Sequence, residues 1–265
     1  MAEPLNTFYG KDAVSVYRTD GERLFAAEVR LLVGEKAFVP SYTEGDNSLV
    51  VATDSMKNFI HLTALEYEGE SLEDLLREIG GRFLERYDQV DLADLRAREV
   101  VFAPRGGVLY QRLYDDYAVA EVTASRAAGV SERSGREAVH LVKLSGSSFA
   151  DFVRDEYTTL PDAYDRPLFV HLEEVMWQNA DPARRANGVA LRDSLVETFA
   201  GFESASIQHL VHEMGVQALE RFPEITFISF KAQNRLWDKA QTSDGVTVYT
   251  DARPPFGIIR FGLER

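Results

Sequence analysis

The segment Phe149-Ala-Asp-Phe-Val-Arg-Asp-Glu-Tyr-Thr-Thr-Leu-Pro-Asp-Ala-Tyr-Asp-Arg166 places aromatic rings and two arginines within eighteen residues. The ring gives a stacking surface and the guanidinium a planar fork of donors for an acceptor edge. A side-chain amide, which both donates and accepts, stands in Ser206-Ile207-Gln208. Taken singly, these residues have plainer uses: Phe149 in a core, Arg166 in a surface ion pair, Gln208 in a first helical turn. Thr53-Asp54, in Val50-Val-Ala-Thr53-Asp54-Ser-Met-Lys57-Asn58, stands where a helix is expected to begin. Thr53 would cap that helix and Asp54 would sit in its first turn, while the free N–H groups there favour an anion. Lys11 follows the turn residue Gly10. A lysine acts as a base only where burial or a neighbouring cation depresses its pKa.

The elements that must carry these groups are legible in outline. Apolar residues at Leu72, Leu75, Leu76, Ile79 and Phe83, and again at Ile207, Leu210, Val211 and Met214, follow helical spacing. Leu75–Tyr87 overlays Leu210–Phe222 with Leu, Glu, Gly, Leu, Glu and Arg identical in register, which predicts a duplicated chain. The matching Gly80 and Gly215 predict close packing, since a mid-helix glycine costs about 1 kcal/mol against alanine. Alternation at Phe25, Ala27, Val29, Leu31 and Val33 reads as a half-buried strand, and similar patterns recur near 12–19, 99–104, 108–123, 137–144, 167–176, 225–232 and 246–250. A helix is expected after Thr53 and another over about Pro182–Phe202, with Pro182 in its first turn. The Gly- and Ser-rich stretch 127–136 is the expected boundary, giving domains 1–130 and 131–265. The class is α+β, antiparallel sheets with helices on one face.

Composition narrows the functions. At 265 residues with 45% hydrophobic content, the chain has room for a large core or two domains. The 29 basic and 43 acidic residues leave a net charge of −14, which repels nucleic acid and requires local positive charge wherever an anion binds. The absence of cysteine removes disulfides, thiolate metal sites and a cysteine nucleophile. The five histidines, His61, His140, His171, His209 and His212, form no recognisable ligand set, and there is no Gly-rich phosphate loop. Without an apolar run of ~18 residues, a signal-like start or a peroxisomal ending, the expectation is a soluble cytoplasmic protein with no membrane partner.

The Phe149–Arg166 and Val50–Asn58 segments, with Tyr9-Gly10-Lys11, resemble the urate oxidase family, bacterial type, and the likeness spans nearly the whole chain. The resemblance implies two tandem tunnelling-fold (T-fold) domains whose sheets join between subunits into the barrel of a homotetramer. It implies oxidation of urate by O2 to 5-hydroxyisourate and hydrogen peroxide with no metal or other cofactor. Phe149 would stack on the purine, Arg166 would fork onto an anionic edge, Gln208 and the Ile207 backbone would read the opposite edge, and Leu160 would close the wall. Thr53 and Asp54 would come from a neighbouring subunit, Lys11 would take a proton through the Thr53 hydroxyl, and Asn234 would face the oxygen or water site.

One departure stands out. The family has a histidine shortly after this asparagine, completing the relay, whereas Gln233-Asn234-Arg235-Leu236-Trp237 has none. Arg253-Pro254-Pro255-Phe256-Gly257 downstream still resembles the end of a bacterial urate oxidase, which argues against a register error. Either Lys11 and Thr53 act with ordered water, with Arg235 depressing the lysine pKa, or the chain is a catalytically weakened purine-binding oligomer. A metal-dependent pterin-handling relative on the same fold would be expected to carry a histidine or cysteine cluster.

Overall fold

The computed structural model describes residues 7–34 and 36–265. The chain divides into two compact units, Met1–Ser134 and Gly135–Arg265. The first contains strands β1 (Phe8–Thr19) and β2 (Leu24–Gly34), a 3-10 turn at Lys36–Phe38, and helices α1 (Val39–Thr43), α2 (Thr53–Glu66) and α3 (Leu72–Arg86). Strands β3 (Leu92–Glu99), β4 (Phe102–Pro104), β5 (Tyr110–Arg112) and β6 (Tyr117–Ser125) follow, and β7 (Gly129–Lys143) runs into the second unit. The second unit continues with β8 (Leu168–Asn179), α4 (Gly188–Gly201), α5 (Ile207–Arg221), β9 (Ile225–Asn234), β10 (Asp238–Ser243), β11 (Val246–Thr250) and β12 (Gly257–Glu264). Among the described residues no helix is long and apolar enough to cross a membrane.

Within the first unit the sheet order is β1-β2-β3-β6, all antiparallel. Its inward side chains, Val29, Leu31, Leu95 and Val122 among them, form one core with Ile60, Leu75, Ile79 and Phe83 of α2 and α3. Strand β3 has a weak apolar signal because its inward residues are Ala93, Leu95 and Ala97. Its other face is laced by ion pairs, Arg30 to Asp94 at 2.9 Å, Arg98 to Glu28 at 2.7 Å, and Arg96 to Glu121. The strand expected near 99–104 is present as the short β4, and β3 at 92–99 is a further strand that the pattern did not show. In the second unit β8, β9 and β12 are antiparallel, and their inward residues pack on Leu210, Met214 and Ala218 of α5.

Two local expectations are corrected. The stretch 127–136 is a loop only at its tip, where Ser125 Oγ accepts from the Ala127 and Ala128 amides and Gly129 takes a φ of 76°. From Gly129 it is a strand, whose buried polar groups find partners: Glu132 meets Arg77 at 3.2 Å, and Ser134 Oγ donates to Glu73. Pro182 lies outside α4. It follows Asp181 in a turn closed by Arg184 N donating to Asp181 O at 2.9 Å, a position that suits proline. The helix starts later because Asn187 Oδ1 caps it, accepting from the Val189 and Ala190 amides at 3.0 Å.

The likeness between Leu75–Tyr87 and Leu210–Phe222 extends to geometry within each unit. Ser71 caps α3 by accepting from Asp74 N, and Ser206 caps α5 by accepting from His209 N, both at 3.1 Å. A Cβ on Gly80 would lie 3.0 Å from Ala124 Cβ, and one on Gly215 would lie 2.8 Å from Leu263 Cδ1, so each helix sits on its sheet where the glycine allows. Arg126 donates to the carbonyls of Leu84, Tyr87 and Val90 at the end of α3, and Arg265 donates to those of Leu219, Phe222 and Ile225 at the end of α5. Each guanidinium reaches one carbonyl in the last turn of its helix, at the negative end of the dipole, and two more in the chain that follows. Arg126→Ala and Arg265→Ala are each expected to lower unfolding free energy by ~1.5–3 kcal/mol, read from denaturant midpoints. An unchanged midpoint would show that water replaces these bonds without loss.

Candidate functional site

In the second unit a short three-segment arrangement carries the aromatic and cationic candidates. Phe149 N donates to Ala163 O at 2.7 Å and Ala163 N returns a bond to Phe149 O at 2.9 Å. On the other side Ser147 pairs with Ser204 in a parallel bridge, Ser148 N donates to Ser204 O at 2.8 Å, and Ser204 Oγ donates to Ser147 Oγ. Arg166 N donates to Ser147 O at 2.9 Å. Thus Ser147–Phe149 is clasped between the segment leading to Arg166 and the residues that lead into α5. The structure brings Phe149, Arg166 and the start of α5 to one neighbourhood.

Arg166 lies with Cζ 5.6 Å from the centre of the Phe149 ring. Its Nε is buried without a hydrogen-bond partner, and burial lowers its pKa from the usual guanidinium value. A buried donor with no acceptor is costly, so this Nε can take an acceptor from a bound molecule or from water. Phe149 also stacks on Phe152, centres 4.9 Å apart and planes 12° from parallel, with Arg154 Cζ 4.8 Å over Phe152 and held by Asp162 at 2.7 Å. The spacing of the two rings in sequence gives no sign of this contact. Here Asp151, at a φ of 59°, folds Phe152 back. Ile207 is buried and Gln208 exposed in the first turn of α5. Leu160 is 44% exposed, its carbonyl accepting from Arg154.

Asn234 ends β9 opposite Val170 and so faces the side of the sheet on which α5 packs. Its Oδ1 is buried and unpartnered. Arg235 and Leu236 follow Asn234 where the resemblance implies a histidine, and Leu236 packs against the core. Arg235 is engaged within its own unit, Nε donating to Gln233 at 2.8 Å and Nη2 to Glu173 at 2.9 Å, with Cζ 4.7 Å over Phe256. His171, opposite Gln233, lies against His140, ring centres 3.9 Å apart and planes tilted by 33°. Burial first, then His140 and Arg235, push its pKa down to about 4.

The first unit holds Lys11, Thr53 and Asp54. Lys11 pairs with Leu31 just before a bulge that runs to Val14, where Ala13 adopts a φ of 53° and its N–H is taken by Asp12 Oδ1 at 2.8 Å. Gly10 is required beside it, since a Cβ there would lie 1.9 Å from Leu31 O. Asp54 is exposed, and its carboxyl is held below the usual range by the hydrogen bond and charge of Lys57 at 2.6 Å, then by Asn58, with Lys11 adding to the effect. The expected N-cap role of Thr53 is corrected. Ala52 occupies that position and has no side-chain oxygen, and Thr53 is the first helical residue, half-buried, leaving its hydroxyl free for other work.

Comparison with known proteins agrees with the likeness read in these segments. The uricase family profile matches residues 7–104 and 132–260. The chain belongs to the uricase family. It is 37% identical over 99% of its length to a uric acid degradation bifunctional protein of Bacillus subtilis (strain 168), and 34% identical over 97% of both chains to a uricase of Haloferax volcanii. The chain spans 56% of that bifunctional protein and 59% of its counterpart from Bacillus sp. (strain TB-90). A hyperthermostable mutant of Bacillus sp. TB-90 urate oxidase superposes with a TM-score of 0.89 at 34% identity, covering 98% of this chain and 99% of that one. In this uricase-family chain the Tyr9–Lys11, Val50–Asn58 and Phe149–Arg166 segments all fall inside the matched ranges.

Proposed function

We propose that this uricase-family chain catalyses urate + O2 + H2O → 5-hydroxyisourate + H2O2. The observation that carries the reading is the unfilled Nε donor of Arg166 beside the Phe149 ring, next to the start of α5. A purine anion stacked on Phe149 would give that donor its acceptor. Gln208 and the Ile207 backbone would hold the far edge, Leu160 would border the ring, and the unpartnered Asn234 Oδ1 would meet oxygen or water. Lys11 would accept a proton through Thr53, and Asp54 would help to seat the substrate. The protein would contribute positioning and proton transfer, the electron-rich urate anion itself reducing O2. Activity of metal-stripped protein tests the cofactor-free part of this reading.

The same reading makes the units tandem T-fold domains of a cytoplasmic homotetramer, their sheets completing a barrel between subunits. Lys11, Thr53 and Asp54 of one copy would then face Phe149 and Arg166 of another. Thr53→Ala and Arg166→Ala variants, each assayed at urate concentrations where it alone turns over little, are expected to regain activity when co-assembled, because some interfaces then carry two intact contributions. Mixed oligomers with no regained turnover would place the site within one chain.

The decisive measurement is loss of urate absorbance with matched oxygen uptake. One observation favours a second reading: Asn234 is followed by Arg235, paired with Glu173, and Leu236, packed against the core, and by no relay histidine. Retention of urate with no oxygen consumption would select that reading, a purine-binding oligomer.

A further inference from the structure

We propose that Tyr9 is a positioning residue, setting the place of Thr53 relative to Lys11; the inference rests on the urate-oxidising reading above. The Tyr9 hydroxyl accepts the Val51 N–H at 2.9 Å. That single bond ties the loop two residues before Thr53 to a strand residue two before Lys11. It matters because α2 has no side-chain N-cap to fix where it begins.

The links on either side of the bond are stiff. The Tyr9 ring stands edge-on to the buried Phe38, centres 5.1 Å apart and planes at 84°. Burial raises the phenol pKa, so the oxygen stays a neutral hydroxyl. From Tyr9 to Lys11 the chain passes Gly10, where the close backbone of Leu31 leaves no space for a side chain. Beyond Lys11 the bulge at Asp12 and Ala13 turns the strand. From Val51 to Thr53 there is only Ala52, whose carbonyl already accepts the first helical bond, from Met56 N at 3.1 Å. A proton relay between two side chains is sensitive to small displacements, and this bond fixes the two backbones that carry them.

Tyr9→Phe keeps the ring and its contact with Phe38 while deleting the acceptor. The expected result is a kcat for urate lower by roughly tenfold or more. KM and the affinity for a non-oxidisable purine analogue should stay within about twofold, since stacking and fork contacts remain. Exchange of the Val51 amide with deuterium should quicken. The Tyr9→Phe, Lys11→Met double variant should be no slower than Lys11→Met alone, because Tyr9 acts only through the relay. Parent-like kcat in Tyr9→Phe, or losses that simply add in the double variant, would overturn the proposal while leaving urate oxidation by the parent intact. A parent that takes up no oxygen with urate would overturn the functional reading and this inference with it.

Discussion

Lys11→Met is expected to lower kcat for urate by about 10²–10⁴-fold, the range over which a positioned acid–base group contributes. Affinity for a purine analogue that cannot be oxidised should change only a few-fold, because proton transfer is lost while stacking and fork contacts persist. The fold should tolerate the change: Lys11 is half-buried and bonded to β2 through its backbone, and methionine is of similar length. In the proposed reading, with Arg235-Leu236 where the family has a histidine, Lys11 and Thr53 are the groups left to carry the proton. Full turnover by Lys11→Met, measured as oxygen uptake, would remove Lys11 from the reaction.

Arg166→Ala should act on the other half of the chemistry. The expected result is a KM for urate raised roughly 10- to 150-fold, equivalent to the ~1.5–3 kcal/mol of a charge-assisted bond. The local fold is held by the Arg166 backbone, whose N–H donates to Ser147 O at 2.9 Å, so the loss should be one of binding and not of the loop. Arg166→Lys keeps a charge but not the planar fork and should recover only part of the affinity. Unchanged affinity in the alanine variant would show that the buried Nε has another purpose.

Much of this was readable from the chain because period and punctuation are local. The spacing of Leu72 to Phe83 and of Ile207 to Met214 shows two amphipathic helices, and the shared Gly80 and Gly215 announce the close packing seen at Ala124 and Leu263. The Tyr9–Lys11, Val50–Asn58 and Phe149–Arg166 segments point to the family, and the absence of a histidine after Asn234 is visible by inspection. What misled were residues whose character depends on distant partners. Glu132 and Ser134 look like loop until Arg77 and Glu73 bury them in a strand, and β3 hides its alternation behind charges paired across the sheet.

The tertiary structure alone decided which polar atoms lack partners. Arg166 Nε and Asn234 Oδ1 are ordinary groups in the sequence, and become unfilled positions only once burial removes water from them. It also decided that Thr53 is not a cap, that Phe152 turns back to support Phe149, and that the Tyr9 hydroxyl bonds to Val51, forty-two residues along the chain. Periodicity determined the class and the helices, and the resemblance of three short segments pointed to the family, because those signals arise between near neighbours. The site arises from contacts between segments far apart in sequence, whose geometry exists only after the chain has packed.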